Sequence, residues 1–318
     1  MIGIDVGGAN LKVVDDEGAH IHYCPLWEGA PIADLLRQYA RSGETAAAVM
    51  SGELADCFAG KDEGISRIVA AVREVFPDAR FYGTDAAFHE AAGPALAAAN
   101  WLASADYLKD RFPDAVLLDV GSTTSDIIPL CRFDGLMGLT DLARLQMGYL
   151  IYTGMLRTNV ATHLRTVELD GVKTPVSTEY FATSADVHLV LGHITPDQYS
   201  CDTPDKKDKT ADASLRRLAR VVCADLCEIG IPGAIQIALA FWAEQRRRIL
   251  MGAATVASDS GASRIIVAGI GAPLFSRETG GLDLTNELGD IADALPAFAV
   301  REIAIRDRVF GQGGPAVL

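Results

Sequence analysis

Short apolar runs that stop at an acid or a glycine alternate along this chain with stretches of helical spacing. Residues 1–14 and 19–24 read as strands, and residues 32–41 carry apolar positions at helical spacing. Residues 46–50 (AAAVM) form a continuous apolar run suited to a strand buried on both faces. Helical spacing returns over 65–75, another strand opens at 80–83, and the alanine-rich stretch 88–105 predicts a helix. Phe112-Pro113-Asp114 breaks the pattern, and 115–120 starts a new strand. Residues 160–215 are irregular and polar, an expected insertion or cap with 201–209 as an exposed loop. Two long helices are expected over 213–228 and 234–258, a strand over 264–268 and a last strand over 298–305. Such alternation predicts an α/β fold on central mixed sheets, with lobes at 1–114 and 115–318.

Two of the strand ends are built alike. Ile4-Asp5-Val6-Gly7-Gly8-Ala9-Asn10-Leu11-Lys12 has a counterpart 114 residues on, Leu118-Asp119-Val120-Gly121-Ser122-Thr123-Thr124-Ser125-Asp126-Ile127. Each is a strand ending in an acid, a turn of small residues and a returning strand. Such turns let a backbone approach a ligand closely, and their successive N–H groups can cradle phosphate oxygens. One copy makes an ordinary hairpin; two copies at a domain-sized spacing point to a two-lobed phosphate-binding protein.

The acids beside the turns are the first candidates for chemistry. Asp5 and Asp119 converge on one cleft if the lobes face each other, and with Asp126 they are the candidate Mg²⁺ ligands. Turn capping is the competing role for all three. Gly7, Gly8, Asn10, Lys12, Gly121, Ser122, Thr123 and Thr124 are the candidate phosphate donors. Glu53 follows the buried run 46–50, where ligands sit in open α/β sheets. It is a candidate general base or metal partner, or else an acid favoured at a helix start. Tyr82-Gly83-Thr84-Asp85 has the same placement, and Gly269 and Gly271 make a third glycine turn.

Composition narrows the partners. The net charge of −14 argues against nucleic acid and anionic membrane, so phosphate binding would rest on local backbone donors and a metal ion. Six scattered cysteines fit reduced thiols, with no Cys-x-x-Cys pair for zinc. No signal-peptide pattern opens the chain, and the longest apolar stretch, 221–239, is interrupted by Asp225, Glu228 and Pro232, so a cytoplasmic protein is expected. Neither a P-loop nor a Gly-x-Ser-x-Gly elbow occurs. A homodimer stays open.

Together the three glycine turns resemble the phosphate and adenosine turns of the actin, sugar kinase and Hsp70 superfamily. Four further segments narrow the resemblance: Met50-Ser-Gly-Glu-Leu-Ala-Asp56, Tyr152-Thr-Gly-Met-Leu-Arg-Thr158, Thr178-Glu-Tyr-Phe-Ala-Thr183 and Asp186-Val-His-Leu-Val-Leu-Gly-His193. They are similar to the hydantoinase A/oxoprolinase family, in a short group linked to tetrahydromethanopterin-dependent C1 transfer. The resemblance implies a two-lobed actin-like (ribonuclease H-like) ATPase fold with a central cleft. It also implies a transferase of methanofuran biosynthesis, joining an aminomethylfuran-methyl diphosphate to the phenol of a tyramine-type acceptor and releasing pyrophosphate. Catalysis would then fall to Asp5, Asp119 and Glu53, diphosphate binding to the two turns, and a nucleotide-side role to Gly269 and Gly271. Mg²⁺ is the implied cofactor, and ATP is not expected to be required. The wider superfamily suggests two alternatives, an ATP-dependent kinase- or hydantoinase-like enzyme and a nucleotide-binding regulator. Asn10 stands where the superfamily's turn usually has threonine, and Asn159 where the group usually has proline.

Overall fold

Two sheets of different size organise the chain, described here for residues 1–310 in a computed structural model. In the first, β1 (Ile2–Val6), β2 (Asn10–Val14) and β3 (Ala19–Tyr23) run as an antiparallel meander. After α1 (Ile32–Arg37) the chain returns as β4 (Ala46–Met50), parallel to β1 and fully buried. Then come α2 (Lys61–Val75), β5 (Arg80–Tyr82) and β6 (Phe88–His89), giving the order β3-β2-β1-β4-β5-β6. The helix α3 (Asn100–Leu108) leads across to the second sheet.

That sheet opens with the hairpin β7 (Ala115–Val120) and β8 (Ser125–Pro129), followed by α4 (Asp141–Met147) and β9 (Leu150–Ile151). The chain then leaves it for the hairpin of β10 (Thr166–Leu169) and β11 (Val172–Pro175), α5 (Ser184–Val190), α6 (Ala211–Arg220) and α7 (Leu226–Ser260). It re-enters as β12 (Arg264–Ala268), parallel to β7, and continues through α8 (Ala272–Thr279), β13 (Leu282–Asp283), α9 (Thr285–Leu288) and α10 (Leu295–Arg306). The order is β13-β12-β7-β8-β9.

α10 returns to the first sheet. It packs on α3, β1 and β4, so closely that a Cβ at Gly3 would lie 1.9 Å from the Ala297 carbonyl oxygen. Leu295, Ala299, Val300 and Ile303 join Val49, Leu102 and Leu117 in a core shared by both sheets. The expected last strand over 298–305 is therefore a helix. The buried residues Leu295, Ala299, Val300, Ile303 and Ala304 recur at helical spacing, and buried spacing outweighs β-propensity.

Three other expectations change. The alanine-rich stretch 88–105 is helical only from Asn100, because Gly93-Pro94 and the left-handed Ala98 interrupt it. The region 160–215 holds a hairpin, α5 and the start of α6 around a core of Val160, Val167, Val187, Leu218 and Phe241. Its buried polar centre is Asp186, which takes the fully buried Arg217 guanidinium at 2.7 Å and the Ser214 hydroxyl at 2.8 Å. Finally, α7 is one element bent at left-handed Gly230, and by length and apolarity it is long enough to cross a membrane. Ala234, Ile237, Ala238 and Phe241 bury it in the cap core, and Ile249, Ala253 and Val256 in the second lobe.

Candidate active site

The two glycine turns have the same internal bond. Gly7 N–H donates to Asn10 O at 3.0 Å, and Gly121 N–H donates to Thr124 O at 3.0 Å. Their carbonyls are engaged from behind. Leu26 N–H donates to Gly8 O and Cys24 N–H to Ala9 O, while Met155 N–H reaches Gly121 O and Leu156 and Arg157 N–H both reach Ser122 O. The amides of Gly8, Ala9, Ser122, Thr123 and Thr124 find no acceptor among the described residues. A row of such amides in a turn at the mouth of a cleft is a concavity suited to an anion.

A glycine backs each turn. At Gly52 a Cβ would lie 2.9 Å from the Gly7 carbonyl carbon and oxygen. At Gly154 it would lie 2.6 Å from Gly121 O and Thr123 N. Both belong to segments quoted from the sequence, Met50–Asp56 and Tyr152–Thr158. Behind Gly154 lies a buried polar chain: Gln245 donates from Nε2 to Gly154 O and Thr153 Oγ1, both at 2.9 Å. Its Oε1 therefore accepts from His188 Nε2, at 2.9 Å, and His188 Nδ1 meets His193 Nδ1. Burial holds both histidines below the usual imidazole range, and the chain of bonds requires a neutral His188 whose Nδ1 accepts.

The turns face one cleft of about 220 Å³, lined by residues of both lobes. In it lie Asp5, Gly7, Gly8, Asn10, Lys12, Asp119, Gly121, Ser122, Thr123, Thr124 and Asp126. The strand register gives the two halves opposite electrostatics. Asp5 stands across the ladder from Lys12, but Asp119 stands across from Asp126. Burial lifts the Asp5 carboxyl to about 6, with Lys12 opposing; one of its oxygens, Oδ1, is buried without a partner. Burial and then the Asp126 charge lift Asp119 to about 7. Burial also raises Asp126, offset by Arg144, which ion-pairs with it and with Asp141 at 2.8 Å.

Four sequence expectations are displaced. Glu53 does not line the cleft: it is 2% exposed, and Gly64 of α2 presses on its backbone, so it serves the packing behind β4. Gly269 and Gly271 do not line it either. Gly269, at φ +77°, leaves no room for a Cβ, which would lie 2.4 Å from Asp119 Oδ1, and Gly271 N–H donates to Val120 O; the third turn supports the end of β7. Asp126 is committed to Arg144. Nor does Tyr82 reach the cleft, since its hydroxyl donates to buried Asp106 at 2.8 Å. Among the described residues no three His, Cys, Asp or Glu side chains gather as a metal shell.

Other cleft residues carried no sequence signal. Asp141 and Arg144 of α4 and Asn100 of α3 come from two segments joined only by folding. Ser51, Tyr152 and Arg157 lie within quoted segments, yet nothing in their spacing marked them as lining residues.

Residues 44–275 match the hydantoinase/oxoprolinase family. The (4-{4-[2-(gamma-L-glutamylamino)ethyl]phenoxymethyl}furan-2-yl)methanamine synthase of Methanocaldococcus jannaschii is 34% identical over 95% of this chain and 97% of its own. The enzyme of the same name from Methanococcus vannielii is 34% identical over 59% of this chain and 89% of its own. Among solved structures, nucleotide-free acetone carboxylase aligns with 92% of this chain and 51% of its own, at 13% identity and a TM-score of 0.45. A non-polymerising MamK mutant bound to AMPPNP aligns with 96% and 97%, at 12% identity and a TM-score of 0.39. With the family matched over most of its length and a relative matched end to end, this chain is a member of the hydantoinase/oxoprolinase family.

Proposed function

We propose that this chain joins a furan-methyl diphosphate to the phenol oxygen of a tyramine-type acceptor, as the name of its Methanocaldococcus relative describes for the phenoxymethylfuran product. The phenol oxygen forms the new C–O bond to the furan methylene. The bond from that carbon to the diphosphate breaks, its electron pair leaves with pyrophosphate, and the phenol proton is released. One observation carries the reading: two turns with bonded carbonyls and acceptor-free amides share one cleft with Lys12. Donors fixed where charge develops stabilise a departing diphosphate without reorganising.

The donor set fits Mg²⁺. Asp5, with its unpartnered buried oxygen, and Asp119 would hold the ion, which needs only one or two protein carboxylates when phosphates supply the rest. Bound there, it would neutralise charge on the leaving group. Lys12 and the turn amides orient the diphosphate, and Asn10 adds a side-chain amide where a hydroxyl would serve in related turns. Asp126, tied to Arg144, fixes the wall of the cleft.

Product inhibition tests this. Inorganic pyrophosphate with Mg²⁺ should compete with the furan substrate and raise the melting temperature, and ADP should stabilise less. Strong stabilisation by ADP with none by pyrophosphate would favour an ATP-dependent reaction.

A further inference from the structure

Three cations line the cleft, and they differ in what they already hold. Lys12 lies among Asp5, Asp119 and Asp126, and its charge acts on all three. Arg144 lies over the Trp101 ring with both terminal nitrogens ion-paired, to Asp126 and Asp141, and its one unpartnered nitrogen, Nε, is buried. Arg157 has no carboxylate partner, and its side chain makes no hydrogen bond among the described residues. It is nevertheless held in place. Its guanidinium lies 4.4 Å from the ring centroid of Trp27, which belongs to the other lobe.

Both members of this stack are tied to the glycine turns. The Arg157 N–H donates to Ser122 O at 3.1 Å, and the Leu26 N–H, one residue before Trp27, donates to Gly8 O at 3.0 Å. The pair thus connects the two turns over the cleft they share. A guanidinium held over a ring by its charge spends no conventional hydrogen bond there, so its N–H donors stay free. A planar fork held in place is a receptor for two oxygens of a carboxylate or phosphate, and fixing it beforehand lowers the entropy lost on binding.

We propose that Arg157, held by Trp27, is the receptor in this cleft for an oxyanion of the bound substrates. The assignment rests on the transferase reading for its two candidate sources: the terminal phosphate of the diphosphate and the carboxylate of a γ-glutamyl acceptor. Trp27 is a positioning residue, since it acts through Arg157.

The test uses the full chain with Arg157→Met, Arg157→Lys and Trp27→Leu. Calorimetric titration with inorganic pyrophosphate and Mg²⁺ reads the phosphate source. The KM ratio of tyramine to γ-glutamyltyramine reads the carboxylate source. If phosphate is the ligand, Arg157→Met weakens pyrophosphate binding by about tenfold or more, the scale of a charge-assisted hydrogen bond. If carboxylate is the ligand, pyrophosphate binding holds and the preference for the glutamylated acceptor disappears. In either case Arg157→Lys, a point charge without the fork, restores part of the loss, and Trp27→Leu gives a smaller loss in the same quantity. The proposal is overturned if Arg157→Met leaves both the pyrophosphate affinity and the acceptor preference at wild-type values. It is also overturned if Arg157→Lys is as impaired as Arg157→Met while both keep the wild-type melting temperature. A wild-type chain that binds pyrophosphate but turns over no furan substrate would refute the transferase reading while leaving the phosphate assay of Arg157 in force.

Discussion

Gly154→Ala isolates the geometry of the second turn from its chemistry, because Gly154 backs the turn and does not line the cleft. Its Cβ would sit 2.6 Å from Gly121 O and Thr123 N and 2.7 Å from the Ser122 carbonyl carbon. These are backbone atoms and cannot rotate away. Restoring ordinary contact near 3.5 Å requires the turn to move by roughly 1 Å. Overpacking of this kind costs about 1–3 kcal/mol of stability, a melting shift of a few degrees in a protein of this size. Function should suffer more, since a misplacement of about 1 Å in a positioning group can cost on the order of 100-fold in rate. The assay is kcat/KM for pyrophosphate release, with a calorimetric titration of pyrophosphate and a thermal melt on the same sample. Gly8→Ala is the control for folding, as no protein atom lies within 4 Å of the position its Cβ would take. Wild-type pyrophosphate affinity and rate in a folded Gly154→Ala protein would refute the claim that this glycine sets the turn.

Gly8→Val should fold normally yet lose pyrophosphate binding, because the open space it fills belongs to the cleft; an unchanged titration would remove Gly8 from the site. For Asp5→Asn, pH melts of the metal-free protein are the readout. A carboxyl raised from 3.8 to about 6 binds its proton more tightly when folded, so its contribution to stability falls as pH rises from about 4 to 6, by up to about 3 kcal/mol. The Asn variant should therefore gain stability at pH 8 and little at pH 4 while losing turnover; a loss of stability at both would contradict the assigned burial cost. Gln245→Leu strands His188 Nε2 and leaves Thr153 Oγ1 and Gly154 O with Thr158 Oγ1 alone, and denaturant unfolding should show about 1–3 kcal/mol less stability with weaker pyrophosphate binding. Unchanged binding in that variant would separate the buried histidine chain from the turn.

What could be seen in the sequence was local. The Asp-x-Gly turns are written in consecutive residues, and β1–β2 and β7–β8 fold where their apolar runs lie. Glu53 was misplaced because a strand-end position says nothing of the helix that later covers it; Gly64, eleven positions on, decides where it packs. Arg144 and Arg157 were illegible as cleft residues because their roles depend on partners far along the chain, Asp126 for one and Trp27 for the other. α10 was misread because its apolar residues suit a strand in composition, and only the buried spacing against Gly3 and α3 distinguishes a helix. The helices expected over 213–228 and 234–258 divide differently, α6 ending at Arg220 and α7 starting at Leu226, because the chain bends at Gly230 and continues through Pro232.

The central claim is that the cleft serves a diphosphate leaving group. Turnover of an aminomethylfuran-methyl diphosphate with γ-glutamyltyramine, followed by pyrophosphate release and mass detection of the ether, measures this in the presence of Mg²⁺ and the complete absence of ATP. The account predicts one pyrophosphate per ether formed, with no increase in rate when ATP is added. Ether formation that occurs only with ATP, or none at all while an ATP-dependent reaction proceeds, would contradict it.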